Sequence, residues 1–146
     1  LPMLKNQYPM DTPPHVLLVE GLPDEGLPET PETPTTASVP KPAAGLRNML
    51  LVVRGSVWDA SRLDAYRNII LPMHKERGGY YEVFAVHADQ VEAISGKWTE
   101  QILAISRWPT RAAAEDFWFC SRYQQDAIPV RLGAARFSVH ALESVE

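Results

Sequence analysis

Residues 71–86 read LPMHKERGGYYEVFAV. The first half carries helical spacing, the pair Gly78-Gly79 breaks it, and Tyr80 onward is aromatic and β-branched, which is strand composition. Gly78 supplies a left-handed helix stop and Gly79 a close turn. Upstream, Leu63, Tyr66, Ile70 and Met73 share one apolar helix face. Asp59 or Ser61 is placed to cap this helix, with Ser61 and Asp64 at capping-box spacing. Pro72 removes one backbone bond late in the helix, a defect that costs about 3 kcal/mol in a helix interior. The expectation is a kinked or loosened last turn, with a cavity beside Tyr80.

Working outward, NMLLVVRGS (residues 48–56) is an apolar strand ahead of the helix. YYEVFAVH (80–87) is the strand after it, and QVEAIS (90–95) continues or follows that strand. Gly96 and Lys97 turn the chain into QILAISRW (101–108). Thr110 caps a second helix with Ala113, Phe117 and Cys120 on its inner face, and irregular chain runs on through Pro129. ARFSVHALE (135–143) is the last strand. The order β-α-β-β-α-β is the split βαβ of ferredoxin-like α+β domains.

Two helices cover one face of a four-stranded sheet. Yet Met49, Leu51 and Val53 alternate with Leu50 and Val52, and Ile102 and Ala104 with Leu103 and Ile105, so both faces are apolar. A second copy packed face to face is the economical cover. The rival is the N-terminal segment folded back on the sheet.

That segment is a region apart. Ten of the 13 prolines precede residue 43. Residues 23–42 (PDEGLPETPETPTTASVPKP) read as an extended acidic tether. HVLLVEG (15–21) reads as one isolated strand that must pair with something. It can join an edge of the main domain, join a partner chain, or end a preceding domain; its faint likeness to residues 134–144 fits the last. The expected division is 1–45 as an extension and 46–146 as the folded domain. Because the chain starts at Leu1, it reads as trimmed, processed or part of something longer.

Before Leu46 the chain holds six acids and two bases; after it there are twelve of each. A neutral domain does not attract phosphate backbones or anionic membranes, so neither nucleic acid nor membrane is an expected partner. Cys120 is the single cysteine. No internal disulfide can form, which fits a reducing, cytoplasmic setting. No run of apolar residues is long enough to span a bilayer.

LDAYRNIILPMHKERGGYYEVFAV, EAISGKW and ILAISRWPTRAAAEDFWFCSRYQQDAIPVRLGAARF together resemble the DUF1330 family of small dimeric α+β-barrel proteins. The resemblance covers roughly residues 47–143. It rests on Tyr66, Pro72, Gly78-Gly79, Gly96, the strand entering Trp108-Pro109, Ala113-Ala114, Tyr123 and Arg131. The chain departs from the pattern at Tyr80-Tyr81, where Arg leads in the family, and at Trp108, where Phe is usual. The resemblance implies a homodimeric barrel with a cavity between helices and sheet. The wider superfamily holds cofactor-free monooxygenases, lactone isomerases, dehydratases and haem-degrading enzymes, and fold does not choose among them.

Residues that such a cavity would gather are Tyr66, His74, Tyr80, Trp98, Trp118, Tyr123 and Arg131. His74 titrates near neutrality and is the candidate proton carrier; the bland alternative is an exposed residue beside Lys75, Glu76 and Arg77. Arg131, with Tyr123, is the candidate clamp for an anionic oxygen; the alternative is a structural arginine bonded to carbonyls or to Glu115 or Asp116. Tyr66, Tyr80, Trp98 and Trp118 would line the substrate. Trp108, Phe117, Trp118 and Phe119 read as core or interface. Spacing offers no metal site, and the second helix lacks a histidine for haem, so no cofactor is expected. The functional expectation is a homodimer binding a small apolar or aromatic acid, with cofactor-independent proton transfer or oxidation on a small cyclic or aromatic compound if it turns over. The alternative is a non-catalytic assembly module docked through its tail.

Overall fold

The structure, a computed structural model, describes residues 15–22 and 45–144. The acidic tether therefore lies outside the described residues. Within them, β1 (Val16–Val19) is followed by β2 (Met49–Val57), α1 (Ala60–Glu76), β3 (Tyr80–Ala85), β4 (Val91–Ser95), β5 (Ile102–Trp108), α2 (Arg111–Phe119), α3 (Ile128–Leu132) and β6 (Ala135–Glu143). A four-stranded antiparallel sheet has the order β3-β5-β2-β6, and β1 pairs with β4 in a separate two-stranded ribbon. The domain is α+β, compatible with the ferredoxin-like arrangement expected from the sequence.

The local chemistry explains the boundaries. Asp59 caps α1, its side chain accepting from the Arg62 backbone N–H at 3.0 Å; the Ser61–Asp64 alternative is not used. Helix α1 runs through Pro72 to Glu76, and the Arg77 N–H closes it on the carbonyls of His74 and Lys75. Gly78 then takes φ of +73°, the left-handed stop. Gly79 has a different purpose: a Cβ there would stand 2.8 Å from the Trp108 ring. The two glycines thus reverse the chain and let α1 lie against a fully buried tryptophan.

Thr110 caps α2 through the Ala113 N–H at 3.1 Å as anticipated; Ala114 and Phe117 are its fully buried residues, and Ala113 and Cys120 pack against the same core. Ala113 is half-buried, Phe119 points to solvent at 71% exposure, and Cys120 is a half-buried cap residue whose thiol meets the Phe117 carbonyl. The stretch before Pro129, expected to be irregular, is helical: a five-residue π turn, Tyr123–Ala127, leads directly into α3, whose first turn holds Pro129.

The main core lies between the helices and one sheet face. It joins Met49, Leu51, Ile102, Ala104 and Trp108 to Leu63, Tyr66, Ile70, Met73, Phe117 and Tyr123. The opposite sheet face holds a smaller cluster, Ala85, Leu103 and Val91, packed by Leu17, Val19, Val52 and Trp98. The N-terminal strand thus covers part of that face, as the folded-back alternative required. It does so through β4 rather than by extending the main sheet. Towards β6 the face is less covered: Leu50 and Ile105 are half-buried, and Leu142 is 52% exposed.

Candidate functional site

Helix periodicity puts Tyr66, Ile70, Met73 and His74 on the inner face of α1, and all four are buried. The π turn after α2 does the same for Tyr123, which is 1% exposed. The two phenols meet, Tyr66 Oη to Tyr123 Oη at 3.1 Å. From α3, the Arg131 guanidinium donates to the Tyr123 oxygen at 2.9 Å and lies over the rings of Trp118 and Phe137, at 5.7 and 5.9 Å. Π turns are rare and concentrate at functional sites; here one sets the spacing between Tyr123 and Arg131.

Tyr66 and Tyr123 each carry one hydroxyl hydrogen. Their mutual bond uses one of them, and the Arg131 contact uses neither. No other protein acceptor among the described residues takes the second. Burial pushes both phenols above their ordinary pKa, in Tyr123 against the opposing pull of Tyr66 and Arg131, so both stay protonated. Arg131 has no carboxylate partner among the described residues. Glu115 is taken by Arg111 at 2.8 Å, and Asp116 by Arg77 at 2.7 Å. A guanidinium and a spare phenolic proton therefore point at the same place.

That place is a cavity of about 20 Å³, lined by Tyr66, His74, Ser106, Trp118, Tyr123 and Arg131 among others. It has room for about one water or one ligand oxygen. Leu51, Trp118 and Val139 also line a larger groove of about 390 Å³ between α2 and strands β2 and β6. Met49, Ala114 and Phe119 make it apolar, and the exposed Arg111–Glu115 pair stands at its rim.

His74 is not the exposed residue that its charged neighbours suggested; it is 5% exposed. Nδ1 donates to the Ile70 carbonyl at 2.8 Å, which leaves Nε2 as the acceptor of the neutral ring. The ring stacks on Tyr81 with centroids 5.1 Å apart and lies 4.6 Å from both Trp108 and Phe117. Burial lowers its pKa to about 4, with Arg77 pushing the same way and the Ile70 bond opposing.

Five of the seven sequence candidates, Tyr66, His74, Trp118, Tyr123 and Arg131, thus share one cavity. Tyr80 and Trp98 do not. In β3, Tyr80 pairs with Arg107 and Tyr81 with Ser106, so the alternation of the strand turns Tyr81 to the core and Tyr80 away. Trp98 packs against the cluster of Ala85, Val91 and Leu103 on the far sheet face. Tyr81, Ser106 and Phe137 belong to the site and were not anticipated. For Tyr81 no clear signal was available in the sequence, because the register of β3 on β5 shifts between Tyr81 and Val83 and breaks period-two counting along the strand.

A family model described as domain of unknown function (DUF1330) matches residues 48–145. The chain belongs to the DUF1330 family. The Tyr66–Tyr123–Arg131 triad lies wholly inside the DUF1330 match, whereas β1 lies outside it. A search of curated proteins found no match. Among the described residues of this DUF1330 chain, no three His, Cys, Asp or Glu side chains are grouped to hold a metal ion, and no helix is long and apolar enough to cross a membrane.

Proposed function

We propose that the protein binds a small apolar or aromatic acid, with one anionic oxygen on Arg131 and Tyr123 and the body of the ligand in the α2–β6 groove. The observation that carries this reading is the pair of unspent donors, a guanidinium with no carboxylate partner among the described residues and one leftover phenolic proton, at a one-oxygen cavity. Charge-assisted hydrogen bonds of this kind contribute about 1.5–3 kcal/mol each. The groove volume falls in the range of ordinary ligand pockets. A ring held neutral down to about pH 4 is a poor proton carrier near neutrality. The proposal therefore rests on binding. Any turnover would use Arg131 and Tyr123 to stabilise an enolate or phenolate, in proton transfer or oxidation on a small cyclic or aromatic compound.

A thermal-shift panel tests this. Aromatic carboxylates should raise the melting temperature, and the matching primary amides should not, because the amide lacks the charge that Arg131 takes up. A panel in which acids and amides behave alike removes the proposal.

We also propose that two copies pair through the sheet face bearing Leu50, Ile105 and Leu142. The half-buried and exposed apolar side chains there support it. Sedimentation should give twice the chain mass, and Leu142→Lys should shift the species toward single chains; a wild-type chain that stays single at high concentration contradicts the pairing. The rival reading, an assembly module docked through its tail, has less support, since the tail strand is engaged by β4 of its own chain.

A further inference from the structure

Strand β4 belongs to the family-matched region, yet its one strand partner among the described residues is β1, which lies outside that region. A lone strand is not stable in water, so β4 needs a partner that residues 48–145 do not supply. Val16 to Val19 provide it, pairing antiparallel with Ser95 to Val91. Alternation sets the specificity. Leu17 and Val19 pack against the cluster of Ala85, Val91 and Leu103, as do Val52 and Trp98, while Leu18 is 55% exposed. The segment then reaches the β3 edge, where the Leu22 N–H donates to the Glu82 carbonyl at 2.6 Å.

The connection imposes little on this pairing. Residues 23–44 separate the segment from the domain. A link of that length can extend to roughly 3.3–3.6 Å per residue, and the closure cost grows only slowly with length. The affinity must come from the strand itself, through main-chain bonds and alternate side-chain pockets, the two terms of strand addition.

We propose that β4, with Val52, Ala85, Leu103 and Trp98 beneath it, is an acceptor site for an extended peptide with apolar residues at alternate positions, and that residues 16–22 are its resident, exchangeable occupant. The site is distinct from the acid pocket, which lies on the other face of the sheet.

The test uses the full chain with a protease site inserted between residues 23 and 44. After cleavage, the N-terminal fragment should co-elute with the remainder. An excess of labelled peptide spanning residues 15–22 should replace it saturably, with a change in Trp98 emission. The same peptide carrying Leu17→Asp and Val19→Asp should compete at least tenfold more weakly. A fragment that never exchanges shows a fixed part of the fold and overturns the proposal. So does equal competition by the two peptides, or a remainder that unfolds, by circular dichroism, once the fragment leaves.

Discussion

Trp108→Ala is expected to cost about 3–5 kcal/mol of stability, the range for truncating a large buried aromatic. Trp108 is 0% exposed. Its Nε1–H donates to Ser106 Oγ at 3.0 Å, so truncation also strips a buried hydroxyl of its partner. The ring fills the space beneath Gly79 and contacts His74 and Phe117, with centroids at 4.6 and 4.8 Å. On the Gly79 side there is no side chain to fill the gap. Against a typical domain stability of 5–15 kcal/mol, the loss takes much of the margin. Trp108→Phe, the residue usual in the family pattern, should cost clearly less. Urea unfolding of the three proteins checks both statements; an alanine variant within 1 kcal/mol of wild type would show that the ring is not the keystone of this core.

Acid is expected to destabilise the wild type more than His74→Phe. The sign follows from proton counting. The folded His74 has a pKa of about 4, against about 6.5 in the unfolded chain. Between those values the unfolded state binds more protons, so stability is full above pH 6.5 and falls as pH drops toward 4. The shift corresponds to about 3 kcal/mol over that window. Burial is the main cause, and Arg77, the nearby cation, acts in the same direction. Phenylalanine keeps a ring against Tyr81, Trp108 and Phe117 but does not titrate. Carboxylates elsewhere affect both proteins alike, so the difference between the two stability–pH curves isolates His74. From pH 7 to pH 4.5 the wild type should lose about 2–3 kcal/mol more than the variant; parallel curves would mean that His74 is not held neutral in the fold.

The strand and helix order was readable because periodicity and punctuation agree across residues 49–119. Gly78-Gly79, Thr110 and the alternation in β2 and β5 each carry a local reason that packing did not override. The last strand, Ala135–Glu143, was readable to the residue. His74 lines the cavity as its candidate role required, and the exposed alternative, which Lys75, Glu76 and Arg77 suggested, is the one that fails. It stands four residues after Ile70, on the face already assigned to the core. Tyr80 and Tyr81 differ by one step in a period-two strand, and one step reverses the face. The π turn at Tyr123 was hidden because Gln124, Gln125, Asp126 and Pro129 look like loop chemistry. Tyr123 in that turn meets Tyr66, 57 residues away, a contact that no local pattern reports. Trp98 could not be placed from sequence at all. The cluster it packs against is shared with Leu17 and Val19, which come from across the tether, and no local pattern predicts that meeting.

Calorimetric titration of the strongest-binding aromatic acid from the panel into wild type, Arg131→Met and Tyr123→Phe tests the central claim most directly. Losing one charge-assisted donor predicts at least a tenfold weaker affinity for Arg131→Met. Tyr123→Phe should show a smaller loss, because Tyr66 then keeps a free hydroxyl hydrogen to offer. Equal affinity across the three proteins would contradict an acid site built on Arg131.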